Sequence, residues 1–137
     1  MGSYEETIPR LVLGAAERFG DRIAIEEGDL ALSFAELSTA AMQAARAFCA
    51  AGVEPGDRVG IWAPNLHEWV VAAIGLQAAG GVLVTLNTRL KGSEAGYILE
   101  KSGARILCTV TGFLGTDYVG LLRDALGGPS SARPIAA

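Results

Sequence analysis

Residues that build metal and nucleophile sites are scarce in this sequence. Its 137 residues include one histidine, His67, and two cysteines, Cys49 and Cys108. Neither cysteine lies in a C-x-x-C pair or in a Cys/His pattern with metal spacing. The sequence therefore predicts no metal site and no disulfide, and we expect both cysteines to be small buried residues.

Motifs that carry phosphate or acyl chemistry are also absent. The sequence contains no G-x-x-x-x-G-K-[ST], no G-x-G-x-x-G and no G-x-S-x-G. The nearest match to a phosphate loop, Lys91-Gly92-Ser93, is typical of an ordinary helix start. We accordingly predict no catalytic residue in this chain and no cofactor bound by this chain alone.

Positive charge is sparse and scattered. Eleven Lys and Arg residues face fifteen Asp and Glu residues, and the net charge is −4. A nucleic-acid partner is not expected, because binding to a phosphate backbone requires a clustered basic surface. The N-terminus carries Glu5 and Glu6 where a secretory signal would be basic. This pattern, together with the unpaired cysteines, favours a cytoplasmic location.

One apolar stretch, residues 69–86, approaches the length of a membrane span. Gln77 lies near its middle, and Gly80-Gly81 interrupt it. We therefore predict a buried helix that ends at glycine and is followed by a buried strand, with no membrane span. A membrane protein remains the least favoured alternative.

The remaining pattern is that of a globular α/β chain. Apolar strands are predicted at 58–62, 82–86 and 105–110, and helices lie between them. This alternation is typical of right-handed β-α-β units and a short parallel sheet flanked by helices. Ahead of the sheet we predict a helix over 7–19, a small N-terminal β-hairpin with strands 23–25 and 30–32, and a helix that a Ser33–Glu36 capping box opens. Length and composition favour one domain over 1–126 and a flexible tail over 127–137.

Four segments, in order, resemble the opening of the adenylate-forming ligases. They are residues 8–25 (IPRLVLGAAERFGDRIAI), 32–65 (LSFAELSTAAMQAARAFCAAGVEPGDRVGIWAPN), 76–90 (LQAAGGVLVTLNTRL) and 98–109 (ILEKSGARILCT). Each segment alone is weak evidence, but the ordered set at this spacing is specific. Asn87, where peptide-synthetase domains more often carry Asp, is closer to the acyl-CoA synthetase branch, and residues 113–126 resemble the fatty-acyl type.

The resemblance implies an N-terminal portion of an AMP-binding domain. In the full-length family, ATP, Mg²⁺ and CoA convert a fatty acid into acyl-CoA, AMP and pyrophosphate. The family's Ser/Thr/Gly-rich phosphate loop and its later catalytic residues are not among these 137 residues. We therefore expect this chain to be inactive alone. By resemblance, Asn65, His67, Asn87 and Arg89 are candidates for a wall of the acyl or CoA passage, although ordinary cap and turn roles are favoured for them.

Two interpretations of the chain remain open. As a ligase fragment, it would pair with the remainder of the ligase domain or self-associate through an exposed apolar face. As a free-standing small α/β binding or scaffold module, it would be a monomer or a defined dimer that unfolds cooperatively. At the level of single residues, the sequence predicts that Asn65 and Glu68 cap a helix. It favours His67 as a first-turn residue of that helix rather than a general base or a ligand. Glu27 is predicted to lie in a solvated turn.

Overall fold

The computed structural model describes residues 7–127, which form five helices and five strands. In chain order the elements are α1 (Ile8–Phe19), β1 (Ile23–Glu27), β2 (Leu30–Ser33), α2 (Phe34–Ala50), β3 (Arg58–Trp62), α3 (His67–Ala78), β4 (Val82–Leu86), α4 (Gly92–Ser102), β5 (Ile106–Thr109) and α5 (Tyr118–Ala125). The predicted α/β class is confirmed. The predicted tail over 127–137 falls, except for Gly127, outside the described residues.

The central sheet has three parallel strands in the order β4-β3-β5. Trp62 at the end of β3 is paired with Leu86 at the end of β4 and with Thr109 at the end of β5. The three strands therefore finish level with one another, so the segments that follow them emerge at one edge. This is the edge at which α/β sheets commonly bind ligands.

The N-terminal hairpin is a separate two-stranded sheet. β1 and β2 pair antiparallel, and Glu27 lies opposite Leu30. Gly28 takes a φ of 57° in the connection, a conformation that glycine adopts without a steric penalty. The predicted hairpin is confirmed, and it leads directly into α2.

One face of the central sheet packs against α2 and α3. Val59 of β3 is fully buried against Leu76 of α3 and Val53. At the α2–α3 contact, an added Cβ on Gly75 would lie 2.5 Å from the Ala44 Cβ and 2.8 Å from the Ala41 carbonyl oxygen. Glycine is therefore required here because two helix backbones approach each other closely.

The opposite face packs against α4 and α5 through larger side chains. Trp62 and Tyr118 are almost completely buried, together with Leu86 and Ala95. The Trp62 and Tyr118 rings meet edge-on, with 4.6 Å between their centroids. Val59 and Trp62 lie on opposite faces because successive strand side chains alternate. The central strand β3 therefore supplies buried residues to both layers.

The two predicted helix starts differ in outcome. The Ser33–Glu36 capping box is confirmed: the Ser33 N–H donates to Glu36 Oε2 at 2.8 Å, and the Glu36 N–H donates to Ser33 Oγ at 3.1 Å. The Asn65 cap is wrong, because the N-cap residue of α3 is Leu66, which makes no side-chain cap. A carboxylate from the hairpin takes that role, since Glu27 Oε2 accepts the His67 N–H at 3.1 Å.

The apolar stretch 69–86 divides as expected into α3 and β4, separated by the Gly80-Gly81 turn. Among residues 7–127, no helix is both long enough and apolar enough to cross a membrane. Both cysteines are free, but the prediction that both are buried is wrong for Cys49, which is exposed, and Cys108 is only partly buried. Phe48 lies on the side of α2 that faces the core. Cys49 is the next residue of the helix and therefore points in a different direction, away from the core.

Candidate functional site

A concavity of about 530 Å³ lies at the edge where β3 and β4 end. The segment after β3 and the segment after β4 form its sides, and the first turn of α3 contributes a ring. Its lining consists of Ala63, Pro64, Asn65, Trp69, Thr85, Leu86, Asn87, Thr88 and Arg89. The level ends of paired strands bring these segments together, although they are about twenty residues apart in the sequence.

Partly buried hydrogen bonds fix the strand ends beside this concavity. Trp62 Nε1 donates to the Asn87 carbonyl oxygen at 2.9 Å, so the strand-end indole fixes the backbone of the segment after β4. On the other side, the Thr109 hydroxyl donates to the Trp62 carbonyl oxygen at 2.7 Å. Trp62 thus connects β4 and β5 to the core at the point where the concavity begins.

The turn after β4 positions Arg89. Its N–H donates to Asn87 Oδ1 at 2.9 Å, while the Leu90 N–H donates to the Asn87 carbonyl oxygen at 3.1 Å. This pattern is an Asx turn, in which an asparagine side chain substitutes for a backbone acceptor. The favoured turn role of Asn87 is therefore seen directly, and the turn places the following Arg89 on the wall.

The charge of the concavity has one sign. Arg89 is the only charged residue among the nine that line it, and no carboxylate lies on the wall. Within residues 7–127, Arg89 makes no ion pair. The wall therefore favours an anionic or polar group, and it lacks the carboxylates through which proteins commonly hold Mg²⁺.

The structure brings together three of the four residues predicted for the wall. Asn65, Asn87 and Arg89 line the concavity, whereas His67 is not among the lining residues. Sequence reasoning missed Trp69, Thr85 and Thr88. Thr85 and Thr88 could have been predicted from their position at the end of β4, because residues beside the end of a parallel strand lie at the ligand-binding edge of the sheet. Trp69 carried no such signal in an almost wholly apolar helix.

His67 lies in a second cluster, between the hairpin and α3. Its Nδ1 contacts Glu27 Oε2 directly and lies 3.0 Å from Glu68 Oε2. Hydrogen bonds from the His67 side chain, and then from its backbone N–H, lower the pKa of Glu27. The interpretation of Glu27 as part of a solvated turn is wrong. Its carboxylate points to α3 because alternation along β1 turns Glu26, and not Glu27, to solvent.

The environment of Cys108 makes its thiol less reactive. Burial of this β5 residue raises the pKa of its thiol. A raised pKa keeps sulfur protonated and weakly nucleophilic at neutral pH. Cys108 is accordingly a partly buried structural residue that packs against the Val59 cluster of the core.

Comparison with known proteins identifies the family. The sequence pattern of the family described as "AMP-binding enzyme" matches residues 13–132, which is most of the chain. This chain belongs to the AMP-binding enzymes. The relationship predicted from the four ordered segments is therefore confirmed.

Curated relatives of this AMP-binding chain are acyl-CoA ligases. A 3-[(3aS,4S,7aS)-7a-methyl-1,5-dioxo-octahydro-1H-inden-4-yl]propanoyl:CoA ligase of Rhodococcus jostii is 42% identical over 124 residues, covering 90% of this chain and 24% of the relative. The medium-chain acyl-CoA ligase ACSF2, mitochondrial, of Mus musculus is 30% identical over 130 residues, covering 93% of this chain and 21% of the relative. The chain thus spans about a quarter of the length of these relatives.

Solved structures agree with this assignment. The N-terminal domain of FACL13 from Mycobacterium tuberculosis superposes with a TM-score of 0.74 at 28% identity. The match covers 76% of this chain and 27% of that structure. The α/β architecture described above is therefore that of part of an adenylate-forming ligase N-terminal domain, as predicted.

Proposed function

We propose that this chain forms the first part of the large domain of an ATP-dependent acyl-CoA ligase. The full enzyme would join a fatty-acid-type carboxylate to CoA and release AMP and pyrophosphate. The observation that carries the proposal is the family match over residues 13–132, combined with ligase relatives of which the chain spans about a quarter.

In this proposal the chain's contribution is a scaffold and one wall of a substrate passage. Trp62 and Asn87 hold the edge of the sheet, and the Asx turn places Arg89 on the concavity wall. The guanidinium group is the only charge on that wall, and CoA is a polyanion. We therefore assign Arg89 to a phosphate or other anionic group of CoA, with Asn65 and Asn87 as neighbouring polar contacts.

The nucleotide chemistry belongs to other parts of the ligase in this proposal. ATP with Mg²⁺ supplies the activation of the carboxylate, and Mg²⁺ is bound through carboxylates and phosphates. The concavity wall has no carboxylate, and the 137 residues contain no phosphate-loop motif. The residues present do not fit ATP–Mg²⁺, so the 137-residue chain alone should release no pyrophosphate from ATP with any carboxylate.

A chimaera tests the proposal directly. Residues 7–127 would replace the matching segment of the Rhodococcus jostii ligase, which is 42% identical to this chain. We expect ATP- and CoA-dependent formation of acyl-CoA, measured with the acid named for that relative and with medium-chain fatty acids. A chimaera that is folded by circular dichroism and gel filtration but makes no acyl-CoA would contradict the proposal.

The wall assignment has its own test in the same chimaera. Arg89→Ala should raise the KM for CoA about tenfold, because a hydrogen bond to a charged group is lost. Arg46→Ala is the matched control, since Arg46 is an exposed arginine of α2 outside the concavity. An equal KM for CoA in the two variants would remove Arg89 from the CoA passage and leave the family assignment intact.

A further inference from the structure

The two tryptophans of the chain lie in different environments. Trp62 is fully buried, and its Nε1 donates to the Asn87 carbonyl oxygen. Trp69, in the first turn of α3, is only half-buried, and it is the one aromatic residue among the nine that line the concavity. A tryptophan ring that stays partly exposed gives up part of the free energy that burial would supply. The Trp69 ring is therefore available to a ligand in the concavity.

The polar side chains of the concavity are suited to a phosphate group. Arg89 carries the single positive charge of the wall. Asn87 Oδ1 accepts the Arg89 N–H at 2.9 Å, so the Asn87 Nδ2 keeps its two hydrogens for other acceptors. A guanidinium group and an amide N–H both donate to phosphate oxygens. The volume of about 530 Å³ is in the range of sites that hold one small ligand.

We propose that Trp69 stacks on the adenine base of CoA while Arg89 binds a phosphate group of the same nucleotide. This inference rests on the proposed function, in which the concavity is a wall of the CoA passage, and it adds which end of CoA lies there. The nucleotide end of CoA combines a flat aromatic base with phosphates, and aromatic side chains bind such bases by stacking. The pantetheine arm has no aromatic ring and no charge of its own.

The other substrates match the concavity less well. An acyl chain beside Arg89 would cover polar groups without offering them partners, which costs free energy. Five of the nine lining residues are polar: Asn65, Thr85, Asn87, Thr88 and Arg89. ATP shares the base and the phosphates with CoA, but it reacts together with Mg²⁺, and the wall has no carboxylate.

The test uses the chimaera that carries residues 7–127. Trp69→Leu keeps an apolar side chain but removes the ring, and it should raise the KM for CoA about tenfold because base stacking is lost. The kcat and the KM values for ATP and for the carboxylate should stay unchanged. Trp69→Phe should restore most of the affinity for CoA. Tyr97→Leu, at an exposed aromatic residue of α4 outside the concavity, is the control and should leave the KM for CoA unchanged.

Pantetheine, which lacks the nucleotide, separates stacking on adenine from other roles of Trp69. With pantetheine as the thiol acceptor, kcat/KM should be the same for the chimaera with Trp69 and for Trp69→Leu. A loss that is equally large with pantetheine would place Trp69 against the other end of CoA. That result, a change in the KM for ATP or for the carboxylate instead, or no change at all in an active chimaera overturns the inference and leaves the proposed function intact.

Binding to the 137-residue chain decides the inference if the chimaera makes no acyl-CoA, a result that would contradict the proposed function. The probe is adenosine bisphosphate, the nucleotide end of CoA, and the indole N–H signals of the two tryptophans are followed by NMR. The signal that is missing in Trp69→Phe belongs to Trp69. It should shift with the probe in the natural chain, and it should shift less in Arg89→Ala at the same concentration. A Trp69 signal that does not move at millimolar probe overturns the inference.

Discussion

The two faces of the central sheet are covered in different ways. On one face, α3 approaches α2 so closely that Gly75 meets the backbone of its neighbour. On the other face, large side chains, chiefly Trp62 and Tyr118, fill the space between the sheet and the helices α4 and α5. These two helices also approach each other closely, since an added Cβ on Gly92 of α4 would lie 2.1 Å from the Leu121 carbonyl oxygen of α5. Where a glycine occurs on that second face of β3, at Gly60, an added Cβ would meet Leu99, Leu107 and Leu86 side chains rather than backbone. Both helix layers thus contain a close approach at glycine, and only the second adds two large buried aromatic side chains.

The two faces of the sheet also lie next to different candidate functional features. The face that α4 and α5 cover is called the aromatic face after Trp62 and Tyr118. It ends at the concavity, because Trp62 both fills the core and donates to the Asn87 carbonyl oxygen. The face that α2 and α3 cover is called the glycine face after Gly75. The hairpin lies beside it, and Glu27 of the hairpin accepts a hydrogen bond at the start of α3. Substitutions on the two faces should therefore differ in size and in what they disturb.

The largest effect is expected on the aromatic face. Trp62→Ala should lower the free energy of unfolding by about 3–5 kcal/mol, because it leaves a large cavity in a fully buried site. Urea denaturation of the purified chain measures the loss. Trp62→Phe keeps most of the apolar volume and should cost clearly less. Equal losses in the two variants would mean that the Nε1 hydrogen bond, and not side-chain volume, holds this face.

A smaller loss is expected on the glycine face. Gly75→Ala should lower the free energy of unfolding by about 1–3 kcal/mol, because the new methyl group overlaps the Ala41 carbonyl oxygen and the Ala44 Cβ. Gly14→Ala in α1 is the matched control, since its added Cβ meets nothing within 4 Å. It should stabilise the chain by about 0.5–1 kcal/mol, because alanine is the better helix former. A stabilising Gly75→Ala would end the argument for close backbone packing.

The smallest effect concerns pH at the start of α2. The Ser33 backbone N–H, and then the Ser33 hydroxyl, lower the pKa of Glu36 from its ordinary value of 4.5. A lowered pKa in the folded state stabilises the fold above the unfolded pKa, and the gain disappears as pH falls through the folded pKa. The stability advantage of the natural chain over Glu36→Gln should therefore be present at neutral pH and be lost at an acid pH below the folded pKa of Glu36.

Urea midpoints at the two pH values measure this advantage. Glu17→Gln, a change at an exposed residue of α1, is the control and should show no comparable pH-dependent difference. An advantage of the natural chain over Glu36→Gln that persists unchanged in acid would show that the charge of Glu36 does not act through the capping box.

Local patterns along the chain predicted most of the fold correctly. Strands β3 and β4 were placed with the right bounds, and the Ser33–Glu36 box and the Gly80-Gly81 break were recognised. These features depend on neighbours within a few residues, such as a hydroxyl and a carboxylate three positions apart or a glycine that ends a helix. The family also followed from short ordered segments, since each is a contiguous run of residues.

Only the tertiary structure decided which distant residues meet. The β3–β4 register brings Asn65 to Arg89, and the hairpin brings Glu27 to His67, forty residues away. Asn65 looked like a helix cap because its neighbours fit that pattern, but a carboxylate from β1 accepts the His67 N–H instead. Hydrogen bonds and packing across a sheet or between helices depend on register and crossing geometry. A linear pattern contains no measure of either, so the sequence determined the elements and the family, and the folded chain determined the sites.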